Sequence, residues 1–111
     1  MRNGEIWLVN FEPQVGHEIK KTRPVIIVNS DALGALPLKV VVPLTDGAKV
    51  QQPWMAGIYP NTNNGISKFS LADCFQVKSI SEKRFIKKIG ALSEEEMAEV
   101  KIFLAKVLEL F

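Results

Sequence analysis

The chain holds one cysteine and one histidine among 111 residues, and each scarcity removes a class of chemistry. A lone Cys74 forms no internal disulfide and agrees with a reducing compartment. One His and one Cys cannot build a zinc cluster, and no H-E-x-x-H, EF-hand or paired C-x-x-C spacing occurs, so no metal is expected. The glycines never gather into G-x-G-x-x-G or a Walker-type loop, and no serine lies in G-x-S-x-G. Nucleotide-cofactor enzymes and triad hydrolases are left without support, and no cofactor is expected. No apolar run approaches the roughly 20 residues of a membrane span. Residues 1–5 lead directly into a strand pattern without a signal or transit segment, so a cytoplasmic location is expected. Excess charge is missing too: a net charge of +2 is too mild to demonstrate a nucleic-acid partner.

What is present suits one domain over residues 1–111 with a single modest core, since 47% of residues are hydrophobic and 23% charged. Residues 5–11 (E-I-W-L-V-N-F) form a first strand, apolar on both faces for most of its length. Residues 24–29 form a second, and 38–44 a third whose Pro43 suggests an edge or a bulge, closed by Thr45-Asp46-Gly47. A short strand over 54–59 is followed by a turn cluster ending in Asn64-Gly65, a hairpin signal, and by a return strand over 67–77. A single helical turn at 81–84 precedes a last strand over 85–92. Strands following one another without a long intervening helix argue for an antiparallel or mixed barrel, a mainly β fold. At the C-terminus, Ser93 with Glu96 makes a capping box and Leu92 with Met97 a hydrophobic staple. Met97, Val100, Phe103, Leu104, Val107, Leu108 and Phe111 then give an apolar stripe for packing an α-helix on the barrel. Trp7, Trp54, Phe69 and Phe75 are expected in the core, and Cys74 as an inert small hydrophobe.

The chemistry concentrates in residues 15–31, V-G-H-E-I-K-K-T-R-P-V-I-I-V-N-S-D. An ionisable segment (His17, Glu18, Lys20, Lys21, Arg23) passes at Arg23-Pro24 into a β-branched run. Pro24 holds the residue before it extended, which places Arg23 stiffly where the chain enters the sheet. These groups suit cleavage of RNA, which carries its own nucleophile in the 2′-hydroxyl. Such a reaction needs a base for that hydroxyl, a cation for the phosphorane and a proton for the leaving 5′-oxygen. Arginine binds phosphate oxygens bidentately and stays charged, Glu18 or His17 fits the proton transfers, and Thr45 can add a hydrogen bond. The plainer reading of Arg23 is an ion pair with Glu18 or Asp46, and of Thr45 a role in turn structure.

G-E-I-W-L-V-N-F-E-P, V-G-H-E-I-K-K-T-R-P-V-I-I-V, V-V-V-P-L-T, F-Q-V-K-S-I-S-E-K-R and the terminal helix, in that order, resemble the MazF/PemK (Kid) toxins of type II toxin-antitoxin systems. The resemblance implies a small SH3-like barrel with a C-terminal helix and a homodimer. It implies metal-independent, sequence-specific cleavage of single-stranded RNA to a 2′,3′-cyclic phosphate and a 5′-hydroxyl. An antitoxin with an acidic, disordered tail would lie over the RNA groove, and DNA would be reached only through that antitoxin. Arg23 then matches the phosphate-binding arginine, Thr45 the assisting threonine, and Glu18 and His17 the residues implicated in proton transfer. Gln76 matches a glutamine near the RNA groove. Lys20 and Lys21 stand where small or amide residues are common, and with Gln76 and Lys78 they are the expected RNA-binding residues. Phe75 stands where many members carry an acid, and Asp73 where one branch has an arginine, so more of the proton transfer falls to Glu18 and His17. Two other outcomes fit the same barrel: a non-enzymatic toxin that binds DNA gyrase, and an inactive RNA-binding relative.

Overall fold

The computed structural model describes residues 1–11 and 22–111. Its strands are β1 (Glu5–Asn10), β2 (Thr22–Ile27), β3 (Leu38–Asp46), β4 (Met55–Ile58), β5 (Ser70–Asp73), β6 (Lys78–Ser81) and β7 (Phe85–Ala91), followed by α1 (Glu94–Leu108). They form one antiparallel sheet in the order β4-β5-β3-β2-β1-β7, with β6 pairing β3 off that path. Two register shifts between β1 and β7 mark bulges, which bend a sheet as a small barrel requires.

Alternation along the strands sends side chains to two faces. Ile6, Ile26, Val42, Leu44, Ala72 and Cys74 pack under Met97 and Val100 of the helix, while Val9, Val25, Ile27, Val41 and Ile80 form a second cluster with Trp7, Phe11 and Phe85. Trp7 meets Phe85 edge-on at 5.8 Å and donates its indole N–H to Glu5 Oε1 at 2.8 Å, so its polar atom is satisfied.

Pro43 is neither at an edge nor at a bulge, as the residue type suggests; β3 is the strand with the most partners. On one side β3 pairs β2 throughout the segment around Pro43, opposite Val25. On the other it pairs β6 over Leu38–Val41 and β5 over Leu44–Asp46, leaving a gap between them. The Val40 N–H and C=O both turn toward β2, bonding Asn29 Oδ1 and the Val28 N–H. Alternation therefore aims the Pro43 nitrogen into that gap, where no ladder bond is needed.

The same handover divides the expected return strand over 67–77. One four-residue strand serves the end of β3, a 3-10 turn over Cys74–Gln76 offsets the chain, and β6 serves the beginning. That turn rotates Phe75 out of the core to 66% exposure, against Trp54 at 5.4 Å, while Phe69 is half-buried beside Tyr59. Asn64-Gly65 does not close a two-residue hairpin. Asn64 is fully buried, and its side chain accepts from the N–H groups of Asn61 and Ile66 and donates to Tyr59 O and Glu96 Oε2. Gly65 has φ +70°, and a Cβ there would strike the backbone oxygen of Ile89. The loop therefore lies directly on β7.

The helix starts as its sequence specifies. Ser93 Oγ accepts from the Glu96 N–H at 3.1 Å and Glu96 Oε1 from the Ser93 N–H at 2.9 Å, completing the capping box. Leu92 and Met97 are buried as a staple. The apolar stripe reaches the sheet only as far as Val107, beyond which Leu108 and Phe111 are exposed.

Candidate active site

Arg23 lies in β2, opposite Val9, rather than at the joint before the strand. Two residues before the Val25–Pro43 pair on β2, and two after it on β3, stand Arg23 and Thr45. Both are half-buried and both line a cleft of about 480 Å³ at the ends of these strands. Among the described residues the guanidinium has no hydrogen bond and no carboxylate within 4.0 Å. The expected alternative of an Arg23–Asp46 ion pair is not what forms, because Asp46 is engaged elsewhere.

Asp46 Oδ1 accepts from the Ala48 N–H at 2.9 Å and Oδ2 from Lys68 Nζ at 2.9 Å. The Ala48 N–H and then the Lys68 ammonium hold the Asp46 carboxyl below the usual carboxylate range. Such a carboxylate is a weak base. It organises the turn that carries Lys49, whose N–H is donated to Asp46 O at 3.1 Å, and it anchors Lys68 on the loop after Asn64. Lys49 and Lys68 line the cleft with Arg23, as do the hydroxyl residues Ser67 and Ser70. None of these four is marked by its sequence neighbourhood. Lys49 and Lys68 are isolated lysines in loops, and only the antiparallel pairing of Asp46 with Ser70 brings their loops together.

His17, Glu18, Lys20 and Lys21 lie outside the described residues. Gln76 is exposed on the 3-10 turn and Lys78 on β6, its ammonium 4.8 Å from the ring centroid of Phe11. Neither lines the Arg23 cleft. Cys74 is buried, and burial with the adjacent Asp73 charge pushes its thiol up to about 12, in keeping with an inert role. Asp73 is buried, and its Oδ1 has no hydrogen-bond partner among the described residues, an unusual state for a carboxylate oxygen. Among the described residues no group of three or more His, Cys, Asp or Glu side chains is placed to hold a metal ion.

A family model for PemK-like, MazF-like toxins of type II toxin-antitoxin systems matches residues 2–108. The chain belongs to that family. It is 30% identical over 106 residues to endoribonuclease MazF9 of Mycobacterium tuberculosis, covering 90% of this chain and 89% of the relative. It is 38% identical over 103 residues to endoribonuclease PemK of Escherichia coli, covering 90% of this chain and 76% of the relative. A solved MazE-MazF structure from Deinococcus radiodurans shares the fold, with a TM-score of 0.81 at 24% identity, covering 100% of this chain and 97% of that one. Of the site residues expected from the sequence, Arg23 and Thr45 are the two that line this cleft among the described residues.

Proposed function

We propose that this chain is a sequence-specific, metal-independent endoribonuclease toxin acting on single-stranded RNA in the cytoplasm, and that a cognate antitoxin neutralises it. The observation that carries the reading is an arginine without a partner among the described residues, sharing an open cleft with Thr45. A guanidinium left unpaired beside hydroxyl donors suits an anion, and a phosphodiester is the anion that its planar fork matches. In the reaction, Glu18 or His17 takes the proton from the 2′-hydroxyl, and the 2′-oxygen attacks the adjacent phosphorus. The P–O2′ bond forms as P–O5′ breaks, and the leaving oxygen collects a proton. Arg23 and Thr45 stabilise the charge that builds on the equatorial oxygens, an electrostatic role of the kind that supplies most of the acceleration in such sites. The products are a 2′,3′-cyclic phosphate and a 5′-hydroxyl. Lys20, Lys21, Gln76 and Lys78 contact the RNA on either side, and the active species is a homodimer.

The test is incubation of a long single-stranded RNA with purified protein in EDTA, followed by sequencing and end-group analysis. Cleavage at a recurring sequence with cyclic-phosphate ends, absent with Arg23→Ala, supports the reading; intact RNA with folded wild-type protein overturns it. The exposed Ile102 and Leu108 of α1 supply the apolar anchors that a gyrase-binding toxin would use. Growth arrest that survives Arg23→Ala, with gyrase captured, would establish that second reading instead.

A further inference from the structure

At the end of β2 and β3 far from Arg23 lies a second cleft, of about 460 Å³, whose lining includes Arg2, Asn29, Asp31, Lys39 and Glu82. Lys39 and Thr45 stand at opposite ends of β3, about 20 Å of strand apart, so the cleavage chemistry does not reach this cleft. Its walls are tied together across the chain. Asn3 donates its N–H to Asp31 Oδ1 at 2.8 Å and its side-chain amide to Asn29 O at 3.0 Å, and Asn29 Oδ1 accepts from the Val40 N–H at 3.0 Å. Lys39 is the unusual member. It is 8% exposed, and lysines are almost never so buried unless paired, yet among the described residues it joins no ion pair and no hydrogen bond. Its ammonium is not sealed in, because the enclosed side-chain atoms without a partner among the described residues are Asn10 Oδ1 and Asp73 Oδ1. It therefore opens into the cleft that it lines.

Glu82 lines the same cleft. Its N–H bonds Pro37 O at 2.9 Å, which carries the β3–β6 ladder past the Lys39–Ile80 pair and sets Glu82 at the mouth near Lys39. The Glu82 carboxylate likewise has no ion pair among the described residues, whereas Arg2 and Asp31 answer each other at 3.9 Å. What is left over is one ammonium and one carboxylate that line one cleft without meeting. A phosphate monoester would face two carboxylates there, and a simple anion or cation would leave one of the two charges unanswered. A small zwitterion answers both. We propose that this cleft binds a free α-amino acid, with its carboxylate on Lys39 and its ammonium on Glu82. Charge-assisted hydrogen bonds at both ends fix the ligand's direction, and the tied walls reduce what must be ordered on binding. Gly34, with φ +82° and open space where a Cβ would stand, leaves room for the ligand's side chain. The volume lies within the range for small-ligand sites. The inference stands apart from the ribonuclease reading and does not depend on it.

The experiment follows the amide resonances of Asn29, Gly34, Ala35 and Lys39 in the full chain by NMR as each common L-amino acid is added, with inorganic phosphate as a parallel probe. At least one amino acid should shift these signals saturably, with a Kd of about 1 mM or tighter. Its N-acetyl derivative, which lacks the ammonium, and its amide, which lacks the carboxylate, should each bind about tenfold more weakly. Lys39→Met should erase the preference for the amino acid over its amide, and Glu82→Gln the preference over its N-acetyl derivative. Glu82 is exposed, so the second variant decides the matter if the first does not fold. Signals that saturate with no amino acid overturn the site and leave Lys39 a lysine that merely snorkels to water. A response to phosphate equal to that of the amino acid overturns the zwitterion, and so does binding that Glu82→Gln and Lys39→Met both leave unchanged.

Discussion

The start of α1 and the cleft around Arg23 lie on two sides of one loop, residues 61–68, and they treat polar groups in opposite ways. On the helix side, Asn61, Asn64, Ser93 and Glu96 hold one another through six hydrogen bonds, and Asn64 donates a further one to Tyr59 O. On the cleft side, Arg23 has no partner among the described residues and Lys68 has one that solvent can replace. A saturated network rigidifies the loop, and what the loop then presents to the cleft is left unsatisfied for a ligand. The contrast separates residues that build the site from residues that use it.

The sharpest way to break the comparison is Arg23→Ala. Cleavage should fall about a thousandfold while the melting temperature hardly moves, because the side chain makes no described ion pair or hydrogen bond. A fall in stability as large as the fall in rate would show that Arg23 belongs with the structural set. Asn64→Ala should do the opposite. Removing the side chain orphans the buried groups that it serves, and urea titration should show a loss of about 2–3 kcal/mol, with cleavage changed only through loosening of the loop. Ser93→Ala, which takes away one cap from the same network, should cost about 1 kcal/mol by the same measurement.

Asp46 supplies the smallest effect, and one with a sign. Its carboxyl is held below the ordinary 3.8 by the Ala48 N–H and by Lys68. A depressed folded-state value means that its contribution to stability is present above the unfolded value and is lost as pH falls through the folded one. Melting curves of wild type and Asp46→Asn, run from neutral pH into acid, should therefore differ modestly at neutrality and converge in acid. Curves that diverge in acid would contradict the hydrogen-bonding pattern.

How much of this was readable in advance follows the range of the interactions. The capping box at Ser93 and Glu96 is closed within four residues, so its sequence signature and its structure coincide. The same holds for the Arg23-Pro24 joint, whose extended backbone is a local consequence of proline. Pro43 misled because its acceptability depends on where β5 hands over to β6, which no neighbour of Pro43 encodes. Phe75 misled for a related reason, since a strand interrupted by a 3-10 turn has the same apolar composition as an unbroken one. Lys49, Ser67 and Lys68 carried no signal, being scattered in loops.

The amino-acid order by itself determined the helix and most of the strands, though not the division of residues 67–81 into two strands and a turn, because backbone preference and apolar alternation act over a few residues; the family was legible in the order of its motifs. Only the tertiary structure decided that Asp46 would bind Lys68 instead of Arg23, and that the isolated loop lysines Lys49 and Lys68 would line one cleft with Arg23 and Thr45. Those outcomes depend on sheet register, which couples residues tens of positions apart and leaves no periodic trace in the chain that it folds.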